Sequence, residues 1–134
     1  MRFSNRNDSL QDALSQVLDG YRDTVAAAYL FGSTVKGDVA ALSDVDVAVL
    51  LAAGASTAGP DPRFRLHADL CRALKRNDVD LLILNTAKNL IIKDEIVRNG
   101  RLLFEGNAEQ REAFELEVIH SIDFKRQRKM AVGY

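Results

Sequence analysis

The chain has 134 residues, 47% of them hydrophobic and 28% charged, with a formal net charge of −1. That length fits one domain with a substantial core, and the near-neutral charge excludes nucleic-acid binding through a global field. The single cysteine, Cys71, excludes an internal disulfide and fits a reducing compartment.

The polar start, with Asn7-Asp8-Ser9, lacks the apolar segment of a secretory signal, and the expected location is the cytoplasm. Leu10, Ala13, Leu14, Val17 and Leu18 follow helical spacing, with Asp8 or Ser9 as cap and Gly20 as stop. Thr24 to Phe31 is a compact apolar run that reads as a buried strand ending at Gly32. Ser33 to about Val39 reads as a turn or helix start, and Val45 to Leu51 as a second strand. Residues 52–62 hold both prolines and read as a loop. A helix follows over about 62–76, with Phe64, His67, Leu70, Cys71 and Leu74 on one stripe. Val79 to Leu84 is a third strand, and Asn85 or Thr86 caps a helix that Asn99-Gly100 ends. Arg101 to Phe104 is a short strand, and beyond Asn107 Phe114, Val118 and Ile122 mark a last helix.

The order α-β-turn-β-α-β-α-β-α predicts an α/β fold, a small sheet with helices packed on it. About a dozen residues join the first two strands, so a tight excursion suffices and the sheet is expected to be mixed.

The chemistry concentrates between Gly32 and Asp46. Gly32 lets a phosphate approach the backbone, Ser33 offers a hydroxyl and following amides, and Lys36 adds a point charge. Asp44 and Asp46 stand two residues apart, on one strand face about 7 Å apart at the backbone. Two such carboxylates repel unless a cation sits between them, and Mg²⁺ suits them together with substrate phosphate oxygens. Asp80 opens a similar acid-bearing strand and can complete a two-metal arrangement, as base or orienter of an attacking hydroxyl. Asp78 lies two residues away, but its spacing to the run Leu81-Leu82-Ile83-Leu84 favours Asp80. His67 and His120 lack acid or cysteine partners at metal spacing and read as structural or exposed. Arg98 and Arg101 read as a solvated helix end.

Gly32-Ser33, Lys36-Gly37 and Ser43-Asp44-Val45-Asp46 resemble the motif of the nucleotidyltransferase superfamily typified by DNA polymerase beta. The small size and the segment from Leu84 to Glu105 resemble its minimal nucleotidyltransferase (MNT) branch. The resemblance covers about residues 24–106, the core of a single domain spanning 1–134 with a C-terminal helix over about 107–130. It implies nucleotide phosphate binding at Gly32 and Ser33, with Lys36 beside them, metal binding at Asp44 and Asp46, and catalysis at Asp80. It further implies ATP as substrate, two Mg²⁺ ions, and transfer of AMP to a tyrosine of a HEPN-domain toxin, which makes the protein an antitoxin. Lys36 stands where relatives often carry arginine and Thr34 where they carry an aromatic, so the bidentate fork of a guanidinium is lost there. Transfer to a small hydroxylated acceptor and inhibition by steric capture are the alternatives.

Overall fold

The computed structural model describes residues 6–32, 44–54 and 61–131. Its elements run α1 (Arg6–Asp19), β1 (Val25–Phe31), β2 (Val45–Leu51), α2 (Pro62–Leu74), β3 (Val79–Ile83), α3 (Leu90–Asn99), β4 (Arg101–Glu105) and α4 (Ala108–Ala131). The strands form a mixed sheet, as the connection lengths predict, and their order is β3-β2-β1-β4. β1 is antiparallel to both β2 and β4, whereas β2 and β3 are parallel through the α2 crossover. Among the described residues, no helix is long and apolar enough to cross a membrane.

Both central strands are buried on both faces, which is why their sequences are almost wholly apolar. On one face Leu30, Val45, Val47 and Val49 pack against Leu14 and Leu18 of α1 and Leu66 and Leu70 of α2. On the other, Ala26, Tyr29, Ala48 and Leu50 meet Ile96 of α3 and Phe114 of α4. The small residues of β1, Ala26 to Ala28, are fully buried between these layers.

Several local expectations are corrected. α1 begins at Arg6, so Asp8 and Ser9 lie inside the helix rather than capping it. In α2, Leu66 is buried and Phe64 is 76% exposed, because the helix turns a neighbouring stripe toward α1. The side chain of His67 meets the Val79 carbonyl at 2.8 Å through Nε2, and Cys71 Sγ lies 3.7 Å from the same nitrogen. The carbonyl contact supports the structural reading of His67, but Cys71, four residues on, corrects the expectation that no cysteine stands near it. α3 is capped by Asn89, whose side chain accepts from the Ile92 amide at 3.1 Å. Asn85 instead clasps β2, accepting from the Leu51 amide at 2.8 Å and donating to the Leu51 carbonyl at 3.1 Å. Gln110 donates to that same carbonyl at 2.9 Å, which ties α4 to the end of β2.

The α4 layer is also fastened by one polar cluster. The buried Tyr29 hydroxyl donates to Glu115 at 2.7 Å, and Arg111 donates to the same carboxylate oxygen at 3.0 Å. Burial and the neighbouring carboxylate push the Tyr29 hydroxyl far above its usual range, so it stays a donor. Glu115→Ala removes the acceptor of the buried Tyr29 hydroxyl and one of the three carboxylates around Arg111, and a loss of about 1–3 kcal/mol is expected by chemical denaturation. An unchanged midpoint would show that water replaces the carboxylate at no cost.

Candidate active site

The site forms at the sheet end where β1 finishes and β2 and β3 begin. On β2 the side chains alternate, so Val45, Val47 and Val49 enter the α1–α2 core while Asp46, Ala48 and Leu50 share the opposite face. β3 alternates in the same way, with Val79 and Leu81 on the α1–α2 side and Leu82 on the other. The parallel register sets Asp46 beside Asp80. Neighbouring strands stand only about 4.8 Å apart, so the two carboxylates face one another across the pair. Asp44 sits exposed just before β2, on the Asp46 face by strand periodicity.

The electrostatics record this crowding. Partial burial raises the Asp46 carboxyl above its ordinary value, and the charges of Asp80 and then Asp44 raise it further. Asp78 takes no part in that field. Its carboxylate is gripped by Arg76 through Nε at 2.5 Å and Nη2 at 2.6 Å, and this guanidinium lowers its pKa. The Asp78 carbonyl in turn accepts from the Val45 amide at 3.0 Å, which joins the start of β2 to the residue before β3. Arg76 also feels the charge of Asp44. Sequence reasoning did not single out Arg76, although its position two residues before Asp78 was a visible pairing signal.

Gly32 follows Phe31, the Cα partner of Asp46, and adopts φ +78°. A Cβ there would collide with Asp46 Oδ2 and lie 3.3 Å from its Cγ. The missing side chain therefore makes room for the carboxylate itself as well as for any ligand at the backbone. The sequence pointed to the second role only.

Of the expected site residues, Gly32, Asp44, Asp46 and Asp80 come together at this end, whereas Ser33 and Lys36 lie outside the described residues. Arg98 is engaged by Asp94 of its own helix at 2.6 Å, in keeping with a solvated helix end. Among the described residues, no group of three His, Cys, Asp or Glu side chains encloses a metal position unaided. An Mg²⁺ ion here would take one or two carboxylates from the protein and the rest of its shell from phosphate oxygens and water.

Two outcomes are expected of this geometry. An aspartate with a raised folded pKa is destabilising when ionised, so stability falls as pH rises from the ordinary Asp value of about 3.9 through the folded value. Asp46→Asn should therefore raise the melting temperature of the metal-free protein by a few degrees at neutral pH, an advantage that disappears in acid. A variant that melts lower than wild type at neutral pH would show that other interactions of Asp46 outweigh the repulsion. If Mg²⁺ with nucleotide raises the melting temperature of the wild type, Gly32→Ala should abolish that gain while circular dichroism stays native. Retention of that gain would mean that Asp46 can move aside without consequence.

The comparisons with known proteins converge on one family. The family described as Polymerase beta, Nucleotidyltransferase matches residues 12–109. Among curated proteins none matches. A crystal structure of a toxin–antitoxin with AMP-PNP is similar at 26% identity and TM-score 0.68, over 91% of this chain and 94% of that one. A chain of the MntA–HepT toxin–antitoxin is similar at 25% identity and TM-score 0.61, over 92% of each chain. The complex of tri-AMPylated Shewanella oneidensis HEPN toxin with MNT antitoxin shares the fold at 24% identity and TM-score 0.65, over 94% of each chain. With the paired acids of β2 and β3 beside the Gly32 turn, the chain belongs to the polymerase beta nucleotidyltransferase family.

Proposed function

We propose that this chain is a Mg²⁺-dependent adenylyltransferase that moves AMP from ATP to a tyrosine of a HEPN-type toxin, and is thereby its antitoxin. The observation that carries the reading is the register placing Asp46 against Asp80 where β1 turns through Gly32. Similarity to a toxin–antitoxin holding AMP-PNP supports the nucleotide and the partner, and the tri-AMPylated toxin of another neighbour suggests the acceptor. We treat residues 1–134 as one catalytic domain, and a reduced Cys71 with ATP as substrate suits the cytoplasm.

The donor set fits Mg²⁺, since hard carboxylate oxygens are crowded until the charged form of Asp46 is disfavoured without a counter-charge. Asp44 and Asp46 would hold one ion, and Asp46 with Asp80 a second. Bound there, Mg²⁺ supplies charge neutralisation for the α-phosphoryl oxygens and the departing pyrophosphate. Asp80 accepts the phenolic proton as the tyrosine oxygen bonds to the α-phosphorus. The bond from that phosphorus to the bridging oxygen breaks, and pyrophosphate leaves with the electron pair. Gly32 keeps the backbone open to the triphosphate. Ser33 and Lys36 complete the cradle in this reading, lysine acting as a point charge in place of a fork.

Intact-mass measurement tests the reading on the toxin partner incubated with this protein, ATP and Mg²⁺. Increments of AMP on the toxin are expected, and Asp80→Asn should slow their appearance by roughly a hundredfold or more while nucleotide binding persists. Neutralisation of the toxin with no change in its mass would contradict transfer and favour steric capture.

A further inference from the structure

The last helix is longer than the sheet it covers. α4 has 24 residues, about 36 Å, and it turns inward the stripe Phe114, Val118 and Ile122 together with the polar side chains of Gln110 and Glu115. Its outer face leaves Leu116 55% and Phe124 59% exposed. Between them runs an open groove of about 730 Å³, lined by Leu116, Glu117, His120, Phe124, Lys125 and Arg128 among others.

We propose that a second copy of this chain occupies the groove, with α4 packed antiparallel on α4 across a twofold axis near His120 and Ser121. The sequence of the face is complementary to itself in that direction. Leu116 and Phe124 lie four positions either side of His120, so the axis sets each against the other in the second copy. Glu117 and Lys125 lie four positions either side of Ser121, one residue further on along the flank of that seam, so an axis between His120 and Ser121 brings acid near base, twice over. Parallel packing would instead oppose each charge with its own kind. The longer pattern agrees in the main: Glu109, Glu112 and Glu117 precede the axis and Lys125, Arg126 and Arg128 follow it, with Arg111 and Asp123 the exceptions and Glu115 turned onto Tyr29. Among the described residues, neither Glu117 nor Lys125 has an ion-pair partner within its own chain. The Arg128 guanidinium lies 5.9 Å from the centre of the Phe124 ring, which holds that anchor over the groove. A contact built from two apolar anchors per copy is small, so the dimer dissociates in the micromolar range. Nothing in this assembly depends on the proposed reaction.

Sedimentation equilibrium at micromolar concentrations tests it on the full chain. The wild type should approach twice its 14.8 kDa mass. Glu117→Lys and Lys125→Glu should each raise the dimer dissociation constant about tenfold or more, because each creates two like-charge contacts. The double variant, with the same net charge as wild type, should return to within about threefold of it. A monomeric wild type would overturn the proposal and leave the face to another partner, such as the toxin. A dimer indifferent to both single changes, or a double variant as weak as the singles, would overturn it equally.

Discussion

The repulsion between Asp46 and Asp80 across the β2–β3 pair is the constraint around which this molecule is arranged. Two carboxylates on adjacent parallel strands, one of them partly buried, are an unfavourable element at the end of a largely apolar sheet. The fold tolerates the pair because valines on the opposite face of β2 are fully embedded between α1 and α2. Burial of that face fixes the register, since a one-residue slip would drive Asp46 into the core. The same packing that stabilises the domain thus forces the acids together.

Around this pair, each neighbour removes a competing arrangement. Arg76 neutralises Asp78, so only Asp80 adds its charge to Asp46 from the β3 side. Gly32 contributes an absence, because any side chain would displace the Asp46 carboxylate from its place. Asn85 and Gln110 clamp the far end of β2 at Leu51, while the Asp78 carbonyl holds its beginning at Val45. A strand fixed at both ends holds its carboxylates in one place.

Much of this was legible in the sequence because it rests on short periodicities. The alternation in Val45 to Leu51 and the acid-led run from Val79 to Leu84 gave β2 and β3, whereas their pairing, which sets Asp46 beside Asp80, came only with the fold. Legibility ended where two residues of one type competed for a role. Asn85 and Asn89 are equally good caps in isolation, and only the tertiary demand of Leu51 for a partner assigns Asn85 elsewhere. Phe64 and Leu66 both fit a helical stripe, and the choice depends on where α1 lies, which no local pattern contains. The steric role of Gly32 was illegible for the same reason, since it concerns an atom on the neighbouring strand. The family match over residues 12–109 agrees with the motif, and Ser33 and Lys36 carry the part of the reading that rests on sequence.

The most direct test of the central claim is a carbon-13 NMR titration of the Asp46 carboxyl, without metal and with Mg²⁺ and a non-hydrolysable ATP analogue. Without metal, Asp46 is predicted to titrate above the ordinary aspartate range, and in the loaded site below that range. An Asp46 that titrates at the same pH in both states would contradict the claim, because the paired acids would then not be where the cation binds.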